Sequence, residues 1–196
     1  MHENSDVVRQ FVNRIDELGI EYAIGGSFAS STWGNPRQTN DLDVVIHLEA
    51  KNVRKLIDAF KVDFMLSENE IEKSVTSREP YRSFQLLHFE KIFKIDVFLL
   101  NDIPFDQSGF SRRTKREYEG GFPAFYFSAE DTILRKLLWR AITPSDRQWN
   151  DVVQILEVQK DLIDKHYLRH WAKTLGIEME VEEALVQAAK IDEQEN

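Results

Sequence analysis

A chain of 196 residues can form one well-packed domain, alone or with a smaller appended unit. The formal charge of −9 argues against a broad nucleic-acid-binding surface, and the absence of cysteine excludes disulfides, thiolate metal sites and cysteine nucleophiles. No apolar run is long enough to span a membrane and the first residues lack a signal-peptide pattern, so we expect a cytoplasmic protein with no membrane partner.

Helices and strands are predicted in mixed order over residues 1–127. Apolar residues at three- and four-residue steps predict the helices, and runs of β-branched and aromatic residues predict the strands. The first helix is expected to begin at an N-cap, Ser5, and to end at Gly19. The helices are predicted at 5–19, 27–33 and near 53–60, and the strands at 21–25, 42–48, 62–66, 84–89, 92–100, 112–118 and 122–127. The last four strands are read as two hairpins, the second turning at Gly120-Gly121.

The pattern becomes entirely helical from residue 128 onward. Ser128 and Asp131 have the spacing of a capping box, in which an N-cap serine is followed by an acid three residues later. Further helices are predicted at 147–158, 165–175 and 178–190. The predicted fold class is therefore α/β (α+β), with a mixed β-sheet flanked by helices over 1–127 and a C-terminal helical unit over 128–196.

Three aspartates interrupt two otherwise apolar strands. Asp41 and Asp43 are two residues apart, so their side chains share one face of a strand while Leu42 and Val44 take the other. Asp96 interrupts a later strand in the same way. A carboxylate in a buried strand is costly unless it is paired or bound to a metal ion. On adjacent strands, the three acids would hold two Mg²⁺ ions, or Mn²⁺ in their place.

A glycine turn precedes the paired aspartates. Gly25, Gly26 and Ser27 follow a short strand and open a helix, which allows backbone N–H groups to approach a phosphate. Taken alone, Gly-Gly-Ser is ordinarily a turn, and an acid-x-acid pair is ordinarily a solvated surface. The order of strand, Gly-Gly-Ser, helix, Asp-x-Asp and a third acid on a later strand favours a nucleotide site over these readings.

This order resembles the signature of the nucleotidyltransferase superfamily. Within it, residues 37–43 look like the Arg-x-Thr-x-Asp-x-Asp element of the abortive-infection (type IV toxin) branch and its uncharacterised bacterial relatives. The resemblance implies a nucleotidyltransferase-like fold with a cleft between the sheet and the helical unit. It also implies an ATP-binding type of enzyme that transfers a nucleoside monophosphate in the presence of Mg²⁺. Arg37 is then expected to reach the phosphates, and Thr39 to brace the loop.

The helical part carries two further residues of the resemblance. In that branch a Ser/Pro-Glu-Asp helix carries a lysine, matched here by Lys136, and a later helix carries an aspartate, matched here by Asp151. Lys136 is expected to bind the triphosphate, and Asp151 either to orient that lysine or to accept a hydrogen bond from the ribose. Simple helix-surface charges are the alternative for both. Family members often have Lys-Asp where this chain has Asn150-Asp151.

The predicted function is metal-dependent transfer of a nucleoside monophosphate from a nucleoside triphosphate to an acceptor hydroxyl, with release of pyrophosphate. Asp41, Asp43 and Asp96 are the predicted catalytic and metal-binding residues, with Asp96 acting as the base toward the acceptor. The acceptor is open between a small molecule, a tRNA and a protein, as is a toxin-like, resistance or housekeeping role. The alternative is a non-catalytic nucleotide-binding sensor or interaction module on the same fold. A basic cluster at 112–116 is either an acceptor contact or a solvated strand edge.

Overall fold

The computed structural model describes residues 2–118 and 121–195. The chain divides into two compact units, one made of Met1–Phe28 with Gln38–Tyr126 and the other of Ala29–Arg37 with Phe127–Asn196. The sequence pattern changes at a single point near residue 127, whereas the second unit also takes in residues 29–37. The assignment of two domains to the chain stays a prediction.

A seven-stranded mixed sheet forms the centre of the first unit. Its strands are β1 (Tyr22–Ile24), β2 (Asp41–Ile46), β3 (Phe64–Met65), β4 (Ser83–His88), β5 (Lys94–Leu99), β6 (Thr114–Tyr118) and β7 (Phe122–Tyr126). Their order across the sheet is β3-β4-β5-β2-β1-β7-β6. Strand β2 runs parallel to β5 and β1 runs parallel to β7, while the remaining neighbours are antiparallel.

The two central strands β2 and β5 alternate strictly between buried and half-buried residues. Their buried residues, Leu42, Val44, Ile46, Ile95, Val97 and Leu99, are at most 5% exposed. This apolar row fixes the register of the pair, because a slip of one residue would turn every buried side chain to the other face. The polar residues of both strands therefore share the opposite face.

Helices of the first unit cover the apolar side of this sheet. Phe11 of the first helix contacts Phe60, with ring centroids 5.3 Å apart, and Phe60 contacts Phe64 of β3 at 5.6 Å. All three rings are almost completely buried, which places the core of this unit here. The helices are α1 (His2–Glu17), the start of α2 (Gly26–Trp33), α3 (Val53–Phe60), α4 (Glu68–Thr76) and α5 (Pro104–Ser111), with a short 3₁₀ turn at Ala50–Asn52.

The second unit is helical and comprises the end of α2, α6 (Ala129–Ile142), α7 (Asp146–Gln159), α8 (Lys165–Leu175) and α9 (Glu178–Glu195), with a 3₁₀ turn at Lys160–Leu162. Helix α6 begins as the capping box predicts, since Ser128 Oγ accepts a hydrogen bond from the Asp131 backbone N–H. Asp131 is fully buried and accepts a further hydrogen bond from Tyr167. None of the described helices combines the length and hydropathy that a membrane span requires.

The predicted α/β class with a mixed sheet is confirmed, but several elements differ. Helices α4 and α5 were not predicted, because α4 is mostly polar and α5 contains a glycine and begins at a proline. Ser5 lies inside α1 and is not its N-cap, since that helix begins at His2. Gly120, in the predicted hairpin turn, lies outside the described residues.

Candidate functional site

The three predicted catalytic aspartates lie on the polar face of β2 and β5. In the parallel register, Asp43 is paired with Asp96 and Asp41 is paired with Lys94. Asp41 and Asp43 point the same way because they are two residues apart on one strand. Three carboxylates and one ammonium group thus share a small half-buried surface, which keeps a net negative charge.

The glycine turn lies directly against this surface. The Gly25 backbone N–H donates a hydrogen bond to the Asp43 carbonyl oxygen at 2.9 Å. Gly26 begins α2 with a φ of +53°, and a Cβ atom built there would overlap the Asp43 side chain, coming within 2.8 Å of its Cβ. Only glycine fits this position, because it tolerates the positive φ and leaves room for the carboxylate. Ser27 is the second residue of the helix.

Neighbouring side chains already bind two of the aspartates. Thr39 Oγ1 donates to Asp41 Oδ1 at 2.5 Å, in line with the predicted bracing role of this threonine. Asp96 accepts from Gln85 Nε2 at 2.7 Å through one oxygen and contacts Lys94 Nζ at 2.6 Å through the other. Both oxygens of Asp96 therefore have a protein donor.

Lys94 is the residue of this site that the sequence analysis missed. Its pKa is raised, first by the hydrogen bond to Asp96 and further by the negative charges of Asp96, Asp41 and Asp43, against the opposing effect of partial burial. The signal was present in the sequence, since Lys94 and Asp96 have the same two-residue spacing as Asp41 and Asp43. That spacing puts the lysine on the acidic face of its strand.

A divalent cation fits the chemistry of these side chains, although they are not arranged around one. Among the described residues, no group of three acidic or histidine side chains is positioned to hold a metal ion. The aspartate oxygens are nevertheless the hard donors that Mg²⁺ and Mn²⁺ prefer, and the strand register brings Asp43 beside Asp96.

The second unit contains a separate buried group of charged side chains. Asp151 on α7 accepts from Arg37 through both oxygens, at 3.1 Å from Nε and 3.0 Å from Nη2. Lys136 Nζ on α6 lies 2.7 Å from Asp151 Oδ2, and Ser30 Oγ donates to the same oxygen at 3.2 Å. The Lys136 and Asp151 side chains are only 8% and 6% exposed. A role as solvated helix-surface charges therefore does not apply to them.

The electrostatics of this group favour an ionised Asp151. Burial alone would raise the pKa of Asp151, but the hydrogen bonds and charges of Arg37 and Lys136 outweigh it and hold the pKa below its usual range. The carboxylate is accordingly ionised at neutral pH and forms ion pairs with both cations.

The basic cluster at 112–116 runs into β6, which lies at the edge of the sheet. Arg113 donates to the Phe110 carbonyl oxygen at 2.8 Å and forms an ion pair with Glu21. Its guanidinium group also lies 4.4 Å from the Phe110 ring centre. Arg113 thus has a structural role, in keeping with the reading of the cluster as a guarded strand edge.

No protein-family model matches the chain, and no curated protein matches it either. Several solved structures do match it. An antigenic nucleotidyltransferase-like protein from Paracoccidioides brasiliensis is 19% identical with a TM-score of 0.56, over 92% of this chain and 90% of that one. The antibiotic-resistance factor ANT(2'')-Ia is 13% identical with a TM-score of 0.58, over 91% and 95% of the two chains. The lincosamide antibiotic adenylyltransferase LnuA, solved with lincomycin, is 13% identical with a TM-score of 0.53, over 77% and 95%.

These structures share their architecture with this chain over most of its length. At identities below 20% the likeness concerns the fold, and function has to be argued from the side chains. The chain therefore shares its fold with these nucleotidyltransferase-like and adenylyltransferase structures.

Proposed function

We propose that the protein transfers a nucleoside monophosphate from a nucleoside triphosphate to an acceptor hydroxyl, with release of pyrophosphate. The observation that carries this proposal is the register of β2 and β5, which puts Asp41, Asp43 and Asp96 on one face. The close approach of Gly26 to Asp43 supports it, because the turn that would bind phosphate is next to the acids.

Asp41 and Asp43 are the proposed ligands of Mg²⁺, with Asp96 completing the site. The bound ions would supply charge neutralisation for the triphosphate and orientation of the reacting oxygens. Asp96 is proposed to accept the proton of the acceptor hydroxyl as that oxygen attacks the α-phosphorus and pyrophosphate leaves on the opposite side. Thr39 holds Asp41 in place through the hydrogen bond described above.

Backbone N–H groups at the start of α2, from Gly26 and Ser27, are proposed to bind the phosphates of the nucleotide. The first N–H groups of a helix have no partner within the helix and lie at the positive end of its dipole, so they favour an anion. Gly25 fixes the turn by its hydrogen bond to the Asp43 backbone.

Arg37 and Lys136 are proposed to bind phosphate oxygens through their charged side chains, which their contacts with Asp151 hold in place. The contacts of Asp151 support a positioning role for it, toward Lys136 and Arg37, over the alternative of a ribose contact. The acceptor, the preferred nucleotide and any toxin-like role have no support from the side chains and stay predictions of the resemblance.

A non-catalytic nucleotide-binding module is a second candidate function. It is favoured by the contacts of Asp96, whose two oxygens are bound by Gln85 and Lys94 and not directed toward a common metal position. The two candidates differ in turnover: the enzyme consumes nucleoside triphosphate, whereas the module only binds it.

We expect Asp43→Asn to reduce nucleotidyl transfer by at least about a hundredfold, because it removes a charged metal ligand worth several kcal/mol of charge stabilisation. The assay follows α-labelled nucleoside triphosphates with Mg²⁺ and a cell extract as acceptor source, and measures transferred label and pyrophosphate. Asp102→Asn, at an exposed aspartate outside the site, is the matched control and should retain wild-type activity. If the wild type binds nucleotide but does not turn it over, the non-catalytic module is favoured. If Asp43→Asn keeps both nucleotide binding and nucleotidyl transfer, the proposed site is contradicted.

A comparison of Gly26→Ala with Gly19→Ala distinguishes the effect of backbone strain from the effect of displacing the Asp43 side chain. Both glycines have a positive φ, +53° and +64°, so the backbone strain of each alanine should cost about 1 kcal/mol of unfolding free energy in a urea titration, and Gly26→Ala should cost more because its methyl group also overlaps Asp43. Only the Gly26 methyl group collides with Asp43, since a Cβ at Gly19 meets no atom within 4 Å. Transfer activity should therefore fall about a hundredfold in Gly26→Ala and stay unchanged in Gly19→Ala. Equal activities in the two variants would contradict the proposed cradle.

Asp151→Asn should lower the free energy of unfolding at pH 7 by about 2–3 kcal/mol, because it removes the buried carboxylate that accepts hydrogen bonds from Arg37 and Lys136. The pKa of Asp151 is lowered in the folded protein, so its stabilising effect is complete above the unfolded pKa of about 3.9 and is lost as the pH falls through the folded value. The stability difference should accordingly narrow below about pH 4 in denaturant titrations. Asp161→Asn, at an exposed aspartate, should have little effect at any pH. A difference that stays constant down to pH 2 would show that the charge of Asp151 is not the source.

A further inference from the structure

Lys94 has an unusual place for a cation, since it lies on the surface where a divalent metal ion is proposed to bind. It is paired across the strands with Asp41, beside the pair formed by Asp43 and Asp96. Its ammonium group contacts Asp96 Oδ2 at 2.6 Å. Both Lys94 and a metal ion would satisfy the same requirement, which is neutralisation of three carboxylates that repel one another.

Lys94 and a divalent ion would compete for the same oxygen atom of Asp96. A divalent ion needs direct contact with carboxylate oxygens, whereas the ammonium group already occupies one oxygen of Asp96 at hydrogen-bond distance. Gln85 donates to the other oxygen, but it is neutral and adds no repulsion toward a metal ion. The charge of Lys94 is therefore what opposes metal binding at Asp96.

Lys94 is able to withdraw from the carboxylate. Its side chain is 37% exposed, and a lysine stem has four rotatable bonds, so the ammonium group can move toward solvent at small cost. Asp96 is less exposed, at 15%, and lies in the same strand.

Building on the proposed function, we propose that Lys94 is a tethered counter-ion that competes with the divalent cation for Asp96 and thereby sets the metal affinity of the site. In the metal-free protein it offsets part of the negative charge of the aspartates and holds Asp96. When a divalent cation enters, Lys94 releases Asp96 and the carboxylate becomes available as a ligand and a base. The lysine is thus a positioning residue that lowers metal affinity and stabilises the metal-free state.

The test measures Mn²⁺ binding by electron paramagnetic resonance, without nucleotide, in the wild type, Lys94→Met and Lys94→Arg. We expect Lys94→Met to bind Mn²⁺ about tenfold more tightly, because a competing positive charge is gone, and Lys94→Arg to bind like the wild type. Lys55→Met removes the same charge from an exposed position on α3 and should change nothing. Lys94→Gln serves as a second neutral variant in case the methionine impairs folding.

Thermal unfolding gives an independent readout. Without divalent ions, Lys94→Met should melt about 2–4 °C below the wild type, because the carboxylates lose their counter-charge, and saturating Mn²⁺ should close or reverse this difference. If the neutral variants of Lys94 bind Mn²⁺ no more tightly than the wild type, competition between Lys94 and the metal ion is contradicted. Loss of Mn²⁺ binding in Asp43→Asn would in that case still support the metal site. If no variant binds Mn²⁺ more tightly than Asp43→Asn, both the metal site and the role of Lys94 fail.

Discussion

The parallel pairing of β2 and β5 is the constraint on which the candidate site depends. The buried apolar residues of the two strands allow one register only, because a slip of one residue would bring the aspartates into the core. Burial on one face thus determines which charged residues meet on the other. Asp43 and Asp96 are far apart in the sequence but become neighbours across the two strands. Backbone pairing brings them together, not a contact between their side chains.

Each of the two charged groups contains its own counter-charge. In the first unit, Lys94 accompanies three aspartates, and in the second unit Asp151 accompanies Arg37 and Lys136. Like charges held at short range destabilise a fold, and one opposite charge within each group offsets a part of this repulsion. The carboxylates of the first group are donors of the kind that a divalent cation prefers, and the arginine and lysine of the second group are donors of the kind that a phosphate prefers.

Much of the fold and of the site could be predicted from the sequence, because the signals were local. The alternation of Asp41, Leu42, Asp43 and Val44 predicts their opposite faces, and a capping box marks the start of α6. Helices with a weak apolar period, α4 and α5, were missed for that reason. The alignment of Asp43 with Asp96 and the contact of Lys94 with Asp96 depend on which strands become neighbours. Short-range patterns carry no information about that choice, so these features emerged only from the structure.

The contacts of Arg37 likewise depend on the tertiary structure and not on local sequence. This arginine is close in sequence to Thr39 and Asp41, yet it belongs to the second unit, where it binds Asp151. The resemblance implies that Arg37 reaches the phosphates and that Thr39 braces the loop, whereas in the structure Arg37 binds Asp151 and Thr39 binds Asp41. The resemblance already allowed a contact between Asp151 and Lys136, whereas the contact between Asp151 and Arg37 came only from the structure.

The central claim is that Asp41 and Asp43 hold a divalent cation against the turn at Gly26. Its most direct test is a crystal structure with Mn²⁺ and a non-hydrolysable nucleoside triphosphate, in which anomalous scattering locates the metal ions. The account predicts anomalous peaks in contact with carboxylate oxygens of Asp41 and Asp43, and Asp96 released from Lys94. Nucleotide bound without Mn²⁺ at these aspartates, or with the contact between Asp96 and Lys94 intact beside a metal ion, would contradict it.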